Sequence, residues 1–444
     1  MQVFGLSLYL LSVAAFFFLL IARKKPKELD GFYYIIPSIF ILTEMLYVLP
    51  LAIRANLNLN LDSNLSPYYV EFVEFIPFAT ALAAIFNFIF AFFYTHLSER
   101  KWKATVVQSF SRGTIPWPAL IVLLTVSLLM IQQLASEFGG LLSYILLGYK
   151  VTETFAGASQ YAIGFDWVIV SSIVVLYTGY AQKSKKIIFI GALLVSVLVV
   201  VFAIMGRRGV LVVLVAAALG GYHVSVKKIP FWALLAVGTL CFLALNLIGL
   251  TRGESYQDVG QIFGIFADRR SSAAESGISL FYTLTEGNFA IPFETFPQII
   301  RSLGERFSLG FGEYSFRALL FVVPSFLWED RPLPLSNWYV QIFYGESQMN
   351  IGRQFFILTA PYMDWGIVGM PIFGVFMAFL FRFVARLAAQ KKSDPIFATG
   401  VLMFLGNMLN LVANDFLAFV LVFSKTVLLP LAFLYFSRRV RLRG

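Results

Sequence analysis

The stretch KSKKIIFIGALLVSVLVVVFAIMGRRGVLVVLVAAALGGYHVSVKK (183–228) decides the fold. Two apolar runs, 187–206 and 209–226, stand back to back. A bilayer core about 30 Å thick needs roughly 20 apolar residues in a helix to cross it. Each run meets that length. Only Arg207 and Arg208 separate them, flanked by Gly206 and Gly209, and lysines bound both outer ends. This reads as a hairpin of two membrane-spanning helices. Its two-arginine turn is on one face and both lysine ends are on the other.

The same grammar extends along all 444 residues. Apolar segments of spanning length fall near 2–22, 32–54, 75–95, 115–134, 163–181, 187–206, 209–226, 231–250, 365–386, 396–413 and 418–437. The expectation is an all-α, polytopic membrane protein with about 11 transmembrane helices. The chain is 59% hydrophobic and 13% charged, against about 25% charged in soluble domains. Its mean hydropathy is +0.80. A transmembrane barrel would instead alternate polar and apolar residues in segments of about ten. Cys241 is the only cysteine, which leaves no disulfide framework and no thiolate metal site.

Net charge is +10, a value that in a soluble chain would suggest nucleic acid. Here the basic residues sit in short clusters between spans, at RKKPK (23–27), ERKWK (99–103), KSKK (183–186), KK (227–228), QKK (390–392) and RRVRLRG (438–444). Twelve of the fourteen lysines fall on that side, which the positive-inside rule makes cytoplasmic. The exceptions are Lys150 and Lys425. The expected topology is a multi-pass membrane protein with its N-terminus outside and its C-terminus cytoplasmic. The first apolar segment lacks a basic leader and a small-residue cleavage site, so it reads as a retained helix.

This topology puts the long segment 251–364 outside, as a cap over a single integral membrane domain spanning 1–444. The segment carries eight arginines, twelve carboxylates and no lysine. Within it 276–285, 293–307 and 315–328 have apolar periodicity in short pieces. The last two suit short helices, interfacial or re-entrant. The 135–161 connector is partly apolar and suits an interfacial helix.

Candidate chemistry concentrates on the outer side. Guanidinium groups stay charged and grip phosphate oxygens through a bidentate fork, which suits a lipid diphosphate. The plainer reading of each arginine is a salt bridge to one of the twelve acids. The string PSFLWEDRPLPLSNWYVQIFYGES (324–347) offers acids, an arginine and aromatic faces for a sugar, or a Pro-rich interfacial turn. Outer acids able to serve as a base are Glu286, Glu294, Asp330, Glu346 and Asp364. Glu44, Asp166 and Lys425 are charges within spans, and Asp415 sits by the outer turn before the last helix. A transporter would use such groups as ion ligands, whereas Lys425 is plainly explained by a partner on a neighbouring helix.

The C-terminal half resembles the Wzy-type polymerases of bacterial surface polysaccharides, and most closely the enterobacterial common antigen polymerase branch. The resemblance rests on Gly206-Arg207-Arg208 before an apolar helix, on FYTLTEGNFAIPFETF (281–296), on FVVPSFLWEDRPLPLSN (321–337) and on NMLNLVANDFLAFVLVF (407–423). It implies a GT-C-like fold and an O-antigen-polymerase type of glycosyltransferase acting without metal or cofactor. The growing glycan would pass from undecaprenyl diphosphate to a lipid-linked repeat unit. By position, Arg207, Arg208, Arg252, Arg331 and Arg353 would hold the diphosphate, with Glu294 and Asp330 as the catalytic acids. Implied partners are the polyprenyl diphosphate-linked oligosaccharides of lipopolysaccharide-type pathways, a chain-length regulator and a flippase. Related ligases rely on an outer histidine, and His96 and His223 both fall at inner ends of spans. The alternatives are an exporter of lipid-linked glycan and a non-catalytic scaffold.

Overall fold

The computed structural model describes residues 2–22, 32–56, 69–96, 115–147, 159–230, 290–322, 328, 332–345, 354–391 and 394–441. Among them, eight helices are long and apolar enough to cross a membrane: Val3–Ala22, Phe32–Asn56, Val73–His96, Trp117–Ser136, Ala162–Gln182, Lys185–Ile204, Thr359–Gln390 and Phe416–Arg438. Two shorter apolar helices, Arg208–His223 and Pro395–Gly406, fall where further spans were expected. The expected span 231–250 lies outside the described residues, as do 251–289 and the 276–285 piece. No strand occurs among the described residues, which leaves an all-α chain with one isolated bridge between Leu303 and Phe307.

The chain forms two compact units. The first comprises Met1–Thr105, Ser279–Gln390 and Met408–Leu421, and the second Val106–Ile278, Lys391–Asn407 and Val422–Gly444.

In the first unit, the Gln2–Ala22 helix packs along Ile76–His96, and Phe32–Asn56 packs on both. Its core is aromatic. Phe40 meets Phe381 edge-on with ring centroids 4.9 Å apart, and Phe90 meets the same ring at 5.6 Å. Rings at this spacing add about 0.5–1.5 kcal/mol per pair beyond the area they bury. Chain-distant segments join by backbone bonds: Phe355 N–H donates to Ala413 C=O and Ile357 N–H to Val412 C=O.

In the second unit, Ser159–Gln182 and Lys185–Ile204 form a hairpin around Lys183 and Ser184. Trp117–Ser136 ends where Gly139 and Gly140 take positive φ and the Gly140 N–H closes back on Ala135 C=O. That is the left-handed exit that glycine allows at a helix C-terminus. Pro395–Gly406 starts at Asp394, whose side chain accepts from Ile396 N–H, with proline at the first helical position. Arg438 doubles on the same carboxylate at 2.7 and 3.2 Å, tying the last helix to this start. Large apolar side chains stay exposed on Trp117–Ser136 and Lys185–Ile204, among them Leu128, Leu129, Phe189 and Val200. Such a surface suits lipid better than water.

Three expected spans are interrupted. The 396–413 segment breaks at Asn407 into Pro395–Gly406 and Met408–Val412. The 365–386 span is preceded by the short helix Thr359–Trp365 and a turn at Gly366, where φ is +57°. The last span passes through a π-helical turn, Ser424–Leu428. Hydropathy does not register the second and third of these, because Thr359–Gln390 and Phe416–Arg438 each contain a span-length window that is apolar on average.

Candidate functional site

The short helix expected within 293–307 is present as Ala290–Ser302. Glu294, Gln298 and Arg301 recur at steps of four and three residues, which puts them on one face. That face meets a second short helix, Leu335–Tyr344, which begins after Pro332 and Pro334 and ends at Gly345, where φ is +87°. The Tyr344 hydroxyl donates to Glu294 Oε1 at 3.3 Å, and the Tyr339 hydroxyl donates to Gln298 Oε1. Glu294 is fully buried and Gln298 nearly so. Thr295 Oγ1 accepts from Phe356 N–H at 3.2 Å, which fixes the helix against the following segment. A buried carboxylate held by a phenol is a positioned acid rather than a solvated one.

Aromatic rings border this face. Trp338 stands edge-on to Phe307 with centroids 5.6 Å apart and meets Tyr314 at 5.7 Å. The Arg306 guanidinium lies 4.9 Å from the Phe343 ring centroid, and its Nη1 donates to Ile342 C=O. Burial raises the Tyr314 hydroxyl above its usual range, with the Glu313 charge acting the same way.

Two other charged candidates have structural partners. Arg301 pairs with Glu71 at 2.5 Å, half in solvent. Asp364 is fully buried and accepts from Tyr314 N–H at 2.9 Å and Ser315 N–H at 2.7 Å. It caps the start of Glu313–Phe316 from a distance, which accounts for its carboxylate without a role as base.

In the second unit, Arg207 immediately precedes the helix Arg208–Ser225, and Gly206 turns the chain with φ +69°. Arg207 Nη2 donates to the Tyr144 hydroxyl at 3.3 Å. Asp166 feels the Arg207 charge too. The arginine turn and the acid of the helix Ser159–Gln182, noted separately in the sequence, thus belong to one cluster. Tyr144 lies on Leu141–Leu147, the helix expected in the 135–161 connector. Burial raises its hydroxyl, and the neighbouring Arg207 acts against that. Arg208 is half-buried at the first helical position. Cations are disfavoured there by the helix dipole, and anions are favoured.

Arg252, Asp330, Arg331 and Arg353 lie outside the described residues, as do Glu286 and Glu346. Sequence reasoning missed Gln298, Tyr339, Tyr344 and Tyr144. Only the Glu294–Gln298 step of four residues carried a signal for any of them. Among the described residues no three His, Cys, Asp or Glu side chains converge as metal ligands would.

The helices and their burial define an all-α, multi-pass membrane protein. No family model matches the chain, and neither a curated protein nor a solved structure matches it.

Proposed function

We propose that the chain is a polysaccharide polymerase of the bacterial inner membrane. It transfers a growing glycan from polyprenyl diphosphate to a lipid-linked repeat unit at the periplasmic face. The observation that carries the reading is Glu294, a carboxylate held by Tyr344 within a buried polar face of the long outer segment. In this mechanism Glu294 takes the proton from an acceptor hydroxyl as its oxygen bonds to the anomeric carbon. The bond from that carbon to the diphosphate oxygen breaks, and polyprenyl diphosphate leaves. Arginine guanidiniums offset the charge developing on the leaving group, and Arg207 and Arg208 are candidates for that role. Arg252, Arg331 and Arg353 complete the proposed set, and Asp330 is the second acid.

Chain growth from defined lipid-linked repeat units tests this. Glu294→Gln is expected to slow turnover by about a hundredfold or more. Arg208→Ala is expected to slow it by about a hundredfold. Parent-like polymerisation by both purified, monodisperse variants would remove the mechanism. The alternative, an exporter of lipid-linked glycan, draws on a different observation, the full burial of Glu44 on the apolar spanning-length helix Phe32–Asn56.

A further inference from the structure

The helices Gln2–Ala22, Phe32–Asn56 and Ile76–His96 bring three polar side chains together in the first unit. Tyr9, Glu44 and Asn87 are each fully buried, one from each helix. Glu44 interacts with both Tyr9 and Asn87. Yet the Tyr9 hydroxyl, both Glu44 oxygens and both polar atoms of the Asn87 amide lack a hydrogen bond of ordinary geometry among the described residues.

Neighbouring polar groups behave differently. Ser12 Oγ donates to Tyr9 C=O at 2.6 Å and Thr80 Oγ1 to Ile76 C=O at 2.7 Å, each satisfied on its own helix. Asn56, Asn407 and Asn414 each turn their amide N–H onto the carbonyl four residues back. Asn87 had the same local option, and its side chain instead joins Glu44 and Tyr9.

No basic side chain among the described residues acts on Glu44. The helices Ala290–Ser302 and Met408–Val412 also pack on Phe32–Asn56, and no charged group from either acts on it. The unit has buried guanidiniums elsewhere. Arg382 lies over the rings of Tyr33 and Tyr94, at 4.9 and 5.5 Å. Tyr94 is two helical turns from Asn87, about 10 Å along the axis. Arg54 is ten residues beyond Glu44 on the same helix, about 15 Å away. A carboxylate without a cationic partner in an apolar interior is among the costliest arrangements in a membrane protein, and such groups mark ion and proton sites.

We infer that Tyr9, Glu44 and Asn87 form a binding site for one small monovalent cation, a proton or a sodium ion. Either one neutralises Glu44. A proton on one Glu44 oxygen donates to the Asn87 carbonyl oxygen. A sodium ion takes hard oxygen ligands from Glu44, Asn87 and Tyr9. The site shares no residue with the proposed glycan chemistry and does not depend on it.

The test is thermal unfolding of the purified full-length protein in detergent. Sodium chloride replaces choline chloride at constant ionic strength, across a series from acid to alkaline pH. A saturable rise of several degrees with sodium, lost in Glu44→Gln, assigns a sodium site. A rise with falling pH that is independent of sodium and lost in Glu44→Gln assigns a proton. A parent that responds to neither, or a Glu44→Gln variant with the parent's response, overturns the inference. Should Glu44→Gln fail to fold, Tyr9→Phe removes a single hydroxyl. It is expected to move the midpoint of the sodium or pH response by about threefold or more. An unchanged midpoint overturns the site as well.

Discussion

Asp364 illustrates how a residue's role changes once its partners are known. In the sequence it is one of five outer acids able to serve as a base. In the structure its two oxygens accept from Tyr314 and Ser315 N–H groups in a buried setting. Leaving such donors unsatisfied costs about 1–3 kcal/mol each. Asp364→Ala is therefore expected to lower unfolding stability by a few kcal/mol, read as a drop in melting temperature. A variant as stable as the parent would remove the capping role. Asp415 makes a pH prediction. It precedes the last span and donates nothing, accepting from Ala418 N–H at 2.8 Å. Burial nevertheless raises its carboxyl from 3.8 to about 6, the backbone bonds from Ala418 and Leu417 acting against the rise. The folded state then holds the proton more tightly than the unfolded state between those values. This stabilisation is full below the unfolded value and is lost as pH rises through about 6. Melting temperature relative to Asp415→Asn should fall across that window, and a flat difference would contradict the burial argument. The same scale shows what sequence could not supply. Arg207 and Asp166 lie forty-one positions apart, and nothing in either local string pairs them.

At the scale of elements, helix positions were legible because apolar run length is a local property. The expected run 187–206 is the helix Lys185–Ile204, and 209–226 is Arg208–Ser225. The breaks at Asn407, Gly366 and the π turn were not, because they follow from packing and not from hydropathy. Helix–helix contact within the membrane relies on small residues that let backbones approach. A Cβ placed on Gly191 would stand 2.5 Å from Leu176 Cα, and one on Gly179 would stand 2.6 Å from Ile188 N. These two glycines set the close approach of Ser159–Gln182 and Lys185–Ile204. Gly191→Leu is expected to force the hairpin apart and cost about 1–3 kcal/mol or more, measured by thermal unfolding in detergent. Parent-like stability would mean that the helices can separate freely. The Lys425 expectation fares differently. Its side chain is exposed on the π turn, and Trp167 Nε1–H donates to its carbonyl. Among the described residues no acid pairs with it.

For the whole molecule, the testable expectation is orientation. The alternating lysine clusters predict that the turn at Gln182 faces the cytoplasm and that Phe311 faces the periplasm. With Cys241 changed to serine, single cysteines at those two exposed positions should separate cleanly. An impermeant maleimide added to intact cells should label Phe311→Cys and spare Gln182→Cys. The reverse pattern would invert the topology and place Glu294 on the wrong face for the proposed chemistry.

By itself the sequence determined that this is an all-α membrane chain, where most helices begin and end, and which polar residues stand out. Transfer from water to lipid is priced residue by residue, so a run of apolar residues declares itself without reference to the rest of the chain. Only the tertiary structure decided which polar groups meet. Tyr344 reaches Glu294 across fifty positions, and the Tyr47 hydroxyl reaches Leu409 C=O across 362. Tyr9 and Asn87 close on Glu44 from separate helices. A buried polar group must be satisfied wherever a partner can be brought to it, and that partner is chosen by packing rather than by proximity in sequence.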